Sequence, residues 1–215
     1  EWRDQNPDSP IDDFEFTLEK MSNSGALFDS LKLEDISREI IFRMSPDEIY
    51  EKMSEWLKEY DGEFYKLFTR DKALTCAAIN VGRDAARPRK DLTNWKQARE
   101  FLSLYYDESL VQEAEYPENV SAEDRAEIKR RYLDGYDHAD DNSGWFGKIR
   151  KITADLGYAV KPKDFKKNPD MYKGSITDVS NVIRVALTGR CNSPDLCEIC
   201  HIIGEDAMRR RIEAI

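Results

Sequence analysis

Apolar residues return at helical spacing along almost the whole chain. After Ser45-Pro46-Asp47-Glu48, the residues Ile49, Met53, Trp56 and Leu57 fall on one helix face, a stripe suited to packing into a core. The start of that helix is marked locally. Ser45 can accept from a first-turn backbone N–H, Pro46 has no N–H to leave unpaired, and Glu48 completes a capping box. The same reading predicts helices over 30–42, 63–69, 72–81, 94–106, 122–138 and 145–156. Three more close the chain. Ser180 to Leu187 carries an apolar stripe and stops at Thr188-Gly189, because glycine takes the left-handed conformation after a helix at little cost. Ser193 is placed to cap the next helix, with Pro194 at its first position, Asp195 at the positive end of the dipole and Gly204 at its end. Arg209-Arg210-Arg211-Ile212 lies on the last. Strand signals are scarce, so the expected fold class is all-α.

The stretches 6–13, 82–93, 107–121, 140–144 and 161–175 read as loops. Charge and turn residues make 107–121 the expected domain linker. A second boundary before Ser45 divides the chain into 1–44, 45–110 and 111–215, the last two as separate helical subdomains. There is no internal repeat and no low-complexity tract.

Composition changes this picture mainly through charge. The 215 residues carry a net charge of −10, with 35% charged and 11% aromatic residues. The aromatics supply burial that a disordered acidic chain lacks. Net acidity argues against nucleic acid as a partner, but polyanion affinity depends on local patches. Two exist. Between Gly82 and Arg99 the bases Arg83, Arg87, Arg89, Lys90, Lys96 and Arg99 outnumber Asp84 and Asp91, and Lys161, Lys163, Lys166, Lys167 and Lys173 outnumber Asp164 and Asp170. Arg184, Arg190 and Arg209 to Arg211 lie among the closely spaced helix ends of the C-terminal segment, a setting that suits phosphate. No apolar run approaches bilayer length and the N-terminus carries no charged-then-apolar leader, so no membrane partner is expected and residence is expected to be cytoplasmic. The opening Glu1-Trp2-Arg3-Asp4, without a Met, reads as the interior of a longer polypeptide. Cys76, Cys191, Cys197 and Cys200 are expected as reduced thiols.

Other motifs are considered and set aside. Cys197-Glu198-Ile199-Cys200-His201 has the spacing of a c-type haem site, and with Cys191 it could form a zinc cluster. Haem attachment needs export, however, and cysteine behaves as a small apolar residue on a core helix face. No metal is therefore expected. Asp140-Asp141 has no companion base, and the two histidines, His138 and His201, lack a nucleotide-binding setting. No catalytic residue is expected.

The C-terminal pattern resembles the end of bacterial glutamyl-tRNA synthetase. Arg184, Ala186, Leu187, Thr188, Gly189, Ser193, Pro194, Leu196, Glu198, Ile203 and Gly204 match that family's closing helices in order and spacing. Two further stretches share the resemblance. Phe14 to Leu33, with Gly25-Ala26-Leu27-Phe28-Asp29 and Lys32-Leu33, is similar to the end of the tRNA stem-contact domain, although Asp35 and Ser37 replace the family's Trp and Asn. Lys20-Met21-Ser22-Asn23-Ser24 is similar to the ATP-binding loop of class I synthetases but is followed by that later segment, which places the true loop upstream. The second stretch is Arg87-Pro88-Arg89, whose family counterpart presents an arginine to the anticodon.

The resemblance implies a tRNA-recognition region in two helical anticodon-binding subdomains, 45–110 and 111–215, after the tail of a stem-contact domain, 1–44. It implies that Arg89 reads the third anticodon base, with Arg87 beside it, and that Ser193, Pro194 and Leu196 touch splayed anticodon bases. Arg184 and Thr188 either join them or support their loop from behind. Arg's planar five-donor fork suits a base edge or phosphate, and Pro88 stiffens its turn. Lys90, Arg190, Lys163, Lys166 and Lys167 are candidates for RNA backbone contact. The implied partner is glutamate tRNA, with glutamine tRNA as second candidate and no DNA, and the implied state is a monomer. ATP and Mg²⁺ would act in a catalytic domain outside this chain, which itself needs no cofactor. The competing expectation is a stand-alone helical scaffold or regulatory module.

Overall fold

The computed structural model of the chain describes residues 2–20 and 29–214. Its contacts divide into two compact units, Glu1–Leu33 and Glu34–Ile215. In the first, a short helix α1 (Trp2–Gln5) is followed by single 3₁₀ turns at Ile11–Asp13 and Leu18–Lys20. The Trp2 ring meets Phe14 edge-on at 5.3 Å, and Asn6 Nδ2 donates to the Trp2 carbonyl at 2.9 Å. The segment 21–28, which holds most of the ATP-loop-like and stem-contact motifs, lies outside the described residues.

The second unit is helical among its described residues, with one isolated bridge between Ala159 and Ser175 and no strand. Helix α2 (Ser30–Arg43) leads into α3 (Pro46–Tyr60), where the expected capping box forms: Ser45 N donates to Glu48 Oε2 at 2.8 Å and Glu48 N to Ser45 Oγ at 3.2 Å. Ile49, Met53 and Leu57 are fully buried against α4 (Gly62–Arg70) and α5 (Lys72–Asn80). Asp61 and Asp71 cap those two helices. Helix α6 (Trp95–Leu102), capped by Asn94, shortens the helix expected over 94–106; its last turn tightens to 3₁₀ at Ser103–Tyr105.

Helices α7 (Ala122–Gly135), α8 (Asn142–Asp155), α10 (Ile176–Thr188), α11 (Leu196–Ile203) and α12 (Glu205–Glu213) form the other half of the same unit. Both halves contribute to one apolar cluster, so the two groups expected either side of 110/111 share a core. Helix α11 lies at the junction, packing on α5 as well as on α8 and α12.

Several expected boundaries move, each for a local reason. Helix α10 begins at Ile176 rather than Ser180, because Ser175 and Asp178 make a second capping box within the stretch read as loop. That stretch also holds the short helix α9 (Pro162–Lys167) and a 3₁₀ turn at Pro169–Met171. Helix α8 starts at Asn142 under an Asp141 cap, and α7 stops at Gly135. The expected linker 107–121 is pinned along its length. Glu113 N and Ala114 N both donate to the Gly189 carbonyl at 2.9 Å. Gly189 has φ 68°, and a Cβ there would sit 2.1 Å from the Val111 carbonyl oxygen, so both conformation and contact require glycine.

Candidate nucleic-acid interface

The Arg87-Pro88-Arg89 turn closes on itself beneath α5. Gly82 takes φ 69°, and Arg89 N donates to its carbonyl at 2.9 Å. A Cβ on Gly82 would fall 2.8 Å from Arg89 Cδ, so the Arg89 stem lies directly on the glycine backbone. The guanidinium is gripped by Asp91, Nε donating to Oδ2 at 2.6 Å and Nη2 to Oδ1 at 3.0 Å. With 39% of its side chain exposed, Arg89 remains at the surface. Arg87 and Pro88 are exposed, and Arg87 has no ion-pair partner among the described residues. Lys90 is engaged: its Nζ pairs with Glu39 at 2.5 Å and stands over the Phe42 ring at 4.8 Å. Arg83 reaches the Ile41, Phe42 and Met44 carbonyls at 3.4, 3.0 and 2.6 Å, capping the end of α2. Burial lowers its pKa, and those carbonyls satisfy the charge.

The loop between α10 and α11 is built around Arg184. Its Nη1 donates to the Ser193 hydroxyl, to the Ser193 carbonyl at 3.2 Å and to the Pro194 carbonyl at 3.3 Å. Burial pushes the Arg184 pKa down. Thr188, fully buried, donates to the Arg184 carbonyl at 2.8 Å and accepts from Arg190 N at 3.3 Å. Arg184 and Thr188 thus hold the loop from behind. Ser193 is not the helix cap expected of it: its hydroxyl is taken by Arg184, and Asp195 caps α11 by accepting from Glu198 N at 3.1 Å. Pro194 therefore precedes the helix. Ser193, Pro194 and Leu196 are buried, leaving Cys191, Asn192 and Asp195 as the exposed positions of this loop.

The two elements meet although a hundred residues of chain separate them. Glu198 of α11 and Gly82 of the turn that carries Arg89 line one groove, which brings α11 beside that turn. Burial, and then the charge of Asp195, raise the Glu198 pKa. Arg89 and Arg184 lie close enough for the Arg89 charge to lower the Arg184 pKa further. Beside them a groove of about 480 Å³ opens between the end of α5, the Gly82 turn and α11, lined by Asn80, Asp84, Glu198 and His201 among others.

The remaining basic candidates separate into two kinds. Lys163, Lys166 and Lys167 on α9, with Lys161 before it, are exposed and have no ion-pair partner among the described residues; Lys173 is held by Asp124 at 2.9 Å. Arg190 is engaged within the fold: Nη2 donates to the Glu100 carbonyl at 2.8 Å, Nε pairs with Glu113 at 3.2 Å, and 19% of the side chain is exposed. The C-terminal run is likewise paired, although 63% of the Arg210 side chain stays exposed. Arg209 pairs with Glu205, and Arg210 and Arg211 share Asp107 at 2.9 and 2.7 Å. Arg211, 4% exposed, also donates to the Leu104 and Leu187 carbonyls.

Cys197 and Cys200 belong to the core, where burial raises their pKa values to about 11 and about 12. Cys200 Sγ lies 3.4 Å from the Tyr132 hydroxyl, whereas Cys191 is exposed and His201 meets His138 edge-on at 5.1 Å. The cysteines and His201 do not converge on a common point, and no group of three metal-binding side chains occurs among the described residues. No helix among them is long and apolar enough to cross a membrane.

Residues 172–215, which comprise α10 to α12, match the family model of an anticodon binding domain. Along its full length the chain is 49% identical, over 215 residues, to glutamate-tRNA ligase of Acetivibrio thermocellus. Over its whole length the chain is similar to one part of glutamate-tRNA ligases. Other ligases of the family agree: that of Clostridium perfringens strain 13 is 40% identical over 216 residues, and that of Sorangium cellulosum 39% over 214, each match covering 99% of this chain. The chain spans about 39% of the length of the Acetivibrio ligase and 40% and 38% of the other two. Two residues that hold the candidate Arg89 carry no role in the sequence reading: Gly82 bears its stem and Asp91 holds its head. The pattern did contain a signal for them, a glycine and an aspartate flanking the Arg-Pro-Arg turn.

Proposed function

We propose that this chain recognises the anticodon arm of tRNA within a glutamate-tRNA ligase. The observation that carries the reading is that Gly82, at the base of the Arg89 turn, and Glu198 of α11 line one groove. An exposed arginine fork there stands beside a groove, with the exposed Arg87 on the same turn. Single-stranded RNA is read by splayed bases whose edges hydrogen-bond to such groups. Arg89 reads the third anticodon base. Ser193, Pro194 and Leu196 shape the loop beside it, so that base contact falls to their backbone and to the exposed Asn192. Lys161, Lys163, Lys166 and Lys167 offer unpaired charge to a phosphate backbone.

In this reading the whole protein joins glutamate to glutamate tRNA with ATP and Mg²⁺, which act in the part of the parent beyond this chain. It works as a cytoplasmic monomer, with glutamine tRNA as the second candidate substrate. The region divides functionally at 44/45 and 110/111.

The test is equilibrium binding of glutamate tRNA to the chain across a range of salt concentrations. Affinity is expected to fall steeply with salt, as counterions are released from each phosphate engaged. Arg89→Gln is expected to weaken discrimination at the third anticodon base by ~1–3 kcal/mol. Absence of tRNA binding at low salt would instead favour a helical scaffold.

A further inference from the structure

Arginine carries two bidentate edges: a side-on edge formed by Nε and one Nη2 hydrogen, and an end-on edge formed by Nη1 and the other Nη2 hydrogen. In Arg89 the side-on edge is filled. Asp91 takes Nε at 2.6 Å and Nη2 at 3.0 Å, while Nη1 has no hydrogen-bond partner among the described residues. The stem lies against the Gly82 backbone, where φ 69° favours glycine and a Cβ would fall 2.8 Å from Arg89 Cδ. The side chain is thus fixed at both ends of its length before any ligand arrives. Asp91 has no other hydrogen-bond partner among the described residues, and 27% of its side chain is exposed.

We propose that Asp91 is the positioning residue for base recognition, holding the side-on edge of Arg89 so that the end-on edge is presented to the RNA base. This rests on the reading of Arg89 given above and adds the residue that makes its selectivity possible. An untethered arginine has several rotatable bonds and meets any phosphate within reach. A tethered one offers a fixed pair of donors that only a correctly placed pair of acceptors can satisfy. The Asp91 charge also offsets that of Arg89, which discourages indiscriminate phosphate binding.

The signature differs from that of an ordinary support. Removing a carboxylate that merely stabilises the turn would lower affinity for every RNA. Removing a positioning carboxylate lowers affinity for the favoured RNA relative to the disfavoured one, whose own affinity holds or rises, so selectivity falls.

The experiment uses the full chain with anticodon stem-loop RNAs that differ only at the third anticodon base, cytosine or guanine. Asp91→Asn, Asp91→Ala and Arg89→Gln are compared with the wild type at several salt concentrations, with thermal unfolding to confirm folding. For Asp91→Asn, the affinity ratio between the two RNAs is expected to fall about tenfold, toward that of Arg89→Gln. Affinity for the disfavoured RNA is expected to hold or rise, and the salt dependence to steepen by about one phosphate equivalent. A ratio unchanged in Asp91→Asn but lost in Arg89→Gln overturns the role of Asp91 alone. A uniform loss of affinity with the ratio preserved does the same. If the wild type binds neither RNA, or binds both equally, the reading of Arg89 fails and the role of Asp91 with it.

Discussion

The turn at 82–91 and the helix at 205–213 are both arginine-rich, and the fold uses them in opposite ways. In α12, Arg211 is 4% exposed and bound through Nε and Nη1 to Asp107 and two carbonyls from distant segments, with Nη2 buried and unpartnered among the described residues, so its charge serves as an internal fastener. In the turn, Arg89 is tethered on one edge and open on the other, and Arg87 is exposed without an ion pair among the described residues. A run of basic residues therefore does not locate a polyanion site. What locates it is whether neighbouring carbonyls and carboxylates have already consumed the donors.

The largest effect that can break this contrast is expected from Arg211→Ala. Removing the guanidinium leaves Asp107 short of a partner and the Leu104 and Leu187 carbonyls unsatisfied in the interior. A loss of ~3–5 kcal/mol is expected in urea unfolding, a large part of the stability of an ordinary domain. If Arg211 instead served RNA, stability would hold and affinity would fall.

A second, smaller effect follows from Asp107. Burial pushes its pKa up, but hydrogen bonds from Arg210 and Arg211 outweigh this and hold it below its ordinary value. The folded state therefore binds its proton less readily than the unfolded chain. The stability this contributes is present above pH ~4 and is lost as pH falls through the lowered value. Acid unfolding of Arg211→Ala should show a shallower loss over that range than the wild type. An unchanged acid limb would mean that Arg210 alone sets the Asp107 proton affinity.

The smallest effect per residue belongs to α9. Replacing Lys163, Lys166 and Lys167 together with Gln should leave folding unchanged and reduce the salt slope of tRNA binding by about one for each lysine that contacts a phosphate. An unchanged slope would confine the interface to the turn and the α10–α11 loop.

Much of this architecture was legible in the sequence, because helix starts are written in local chemistry. Ser45-Pro46-Asp47-Glu48 forms the predicted capping box, and Ile49, Met53 and Leu57 bury as their spacing implies. Errors arose where a tertiary partner overrode a local signal. Ser193 looks like a cap until Arg184 claims its hydroxyl, and Asp195 then caps two residues further on. The 107–121 stretch has a linker's composition, yet Arg210, Arg211 and the Gly189 carbonyl bind it to the C-terminal helices from about 75 to 105 residues away. The candidate site is half legible. The motif marks Arg89 as a candidate, but the Asp91 grip on it and the groove shared by Gly82 and Glu198 form only when the turn folds back beside α11. No spacing rule in one sequence reports such a meeting.

The most direct test of the contrast is amide hydrogen exchange with and without bound glutamate tRNA. Slowed exchange is expected in 82–91 and 190–196, with no change in 205–213, whose arginines are already engaged within the fold. Protection of 205–213 with none in 82–91 would contradict the account.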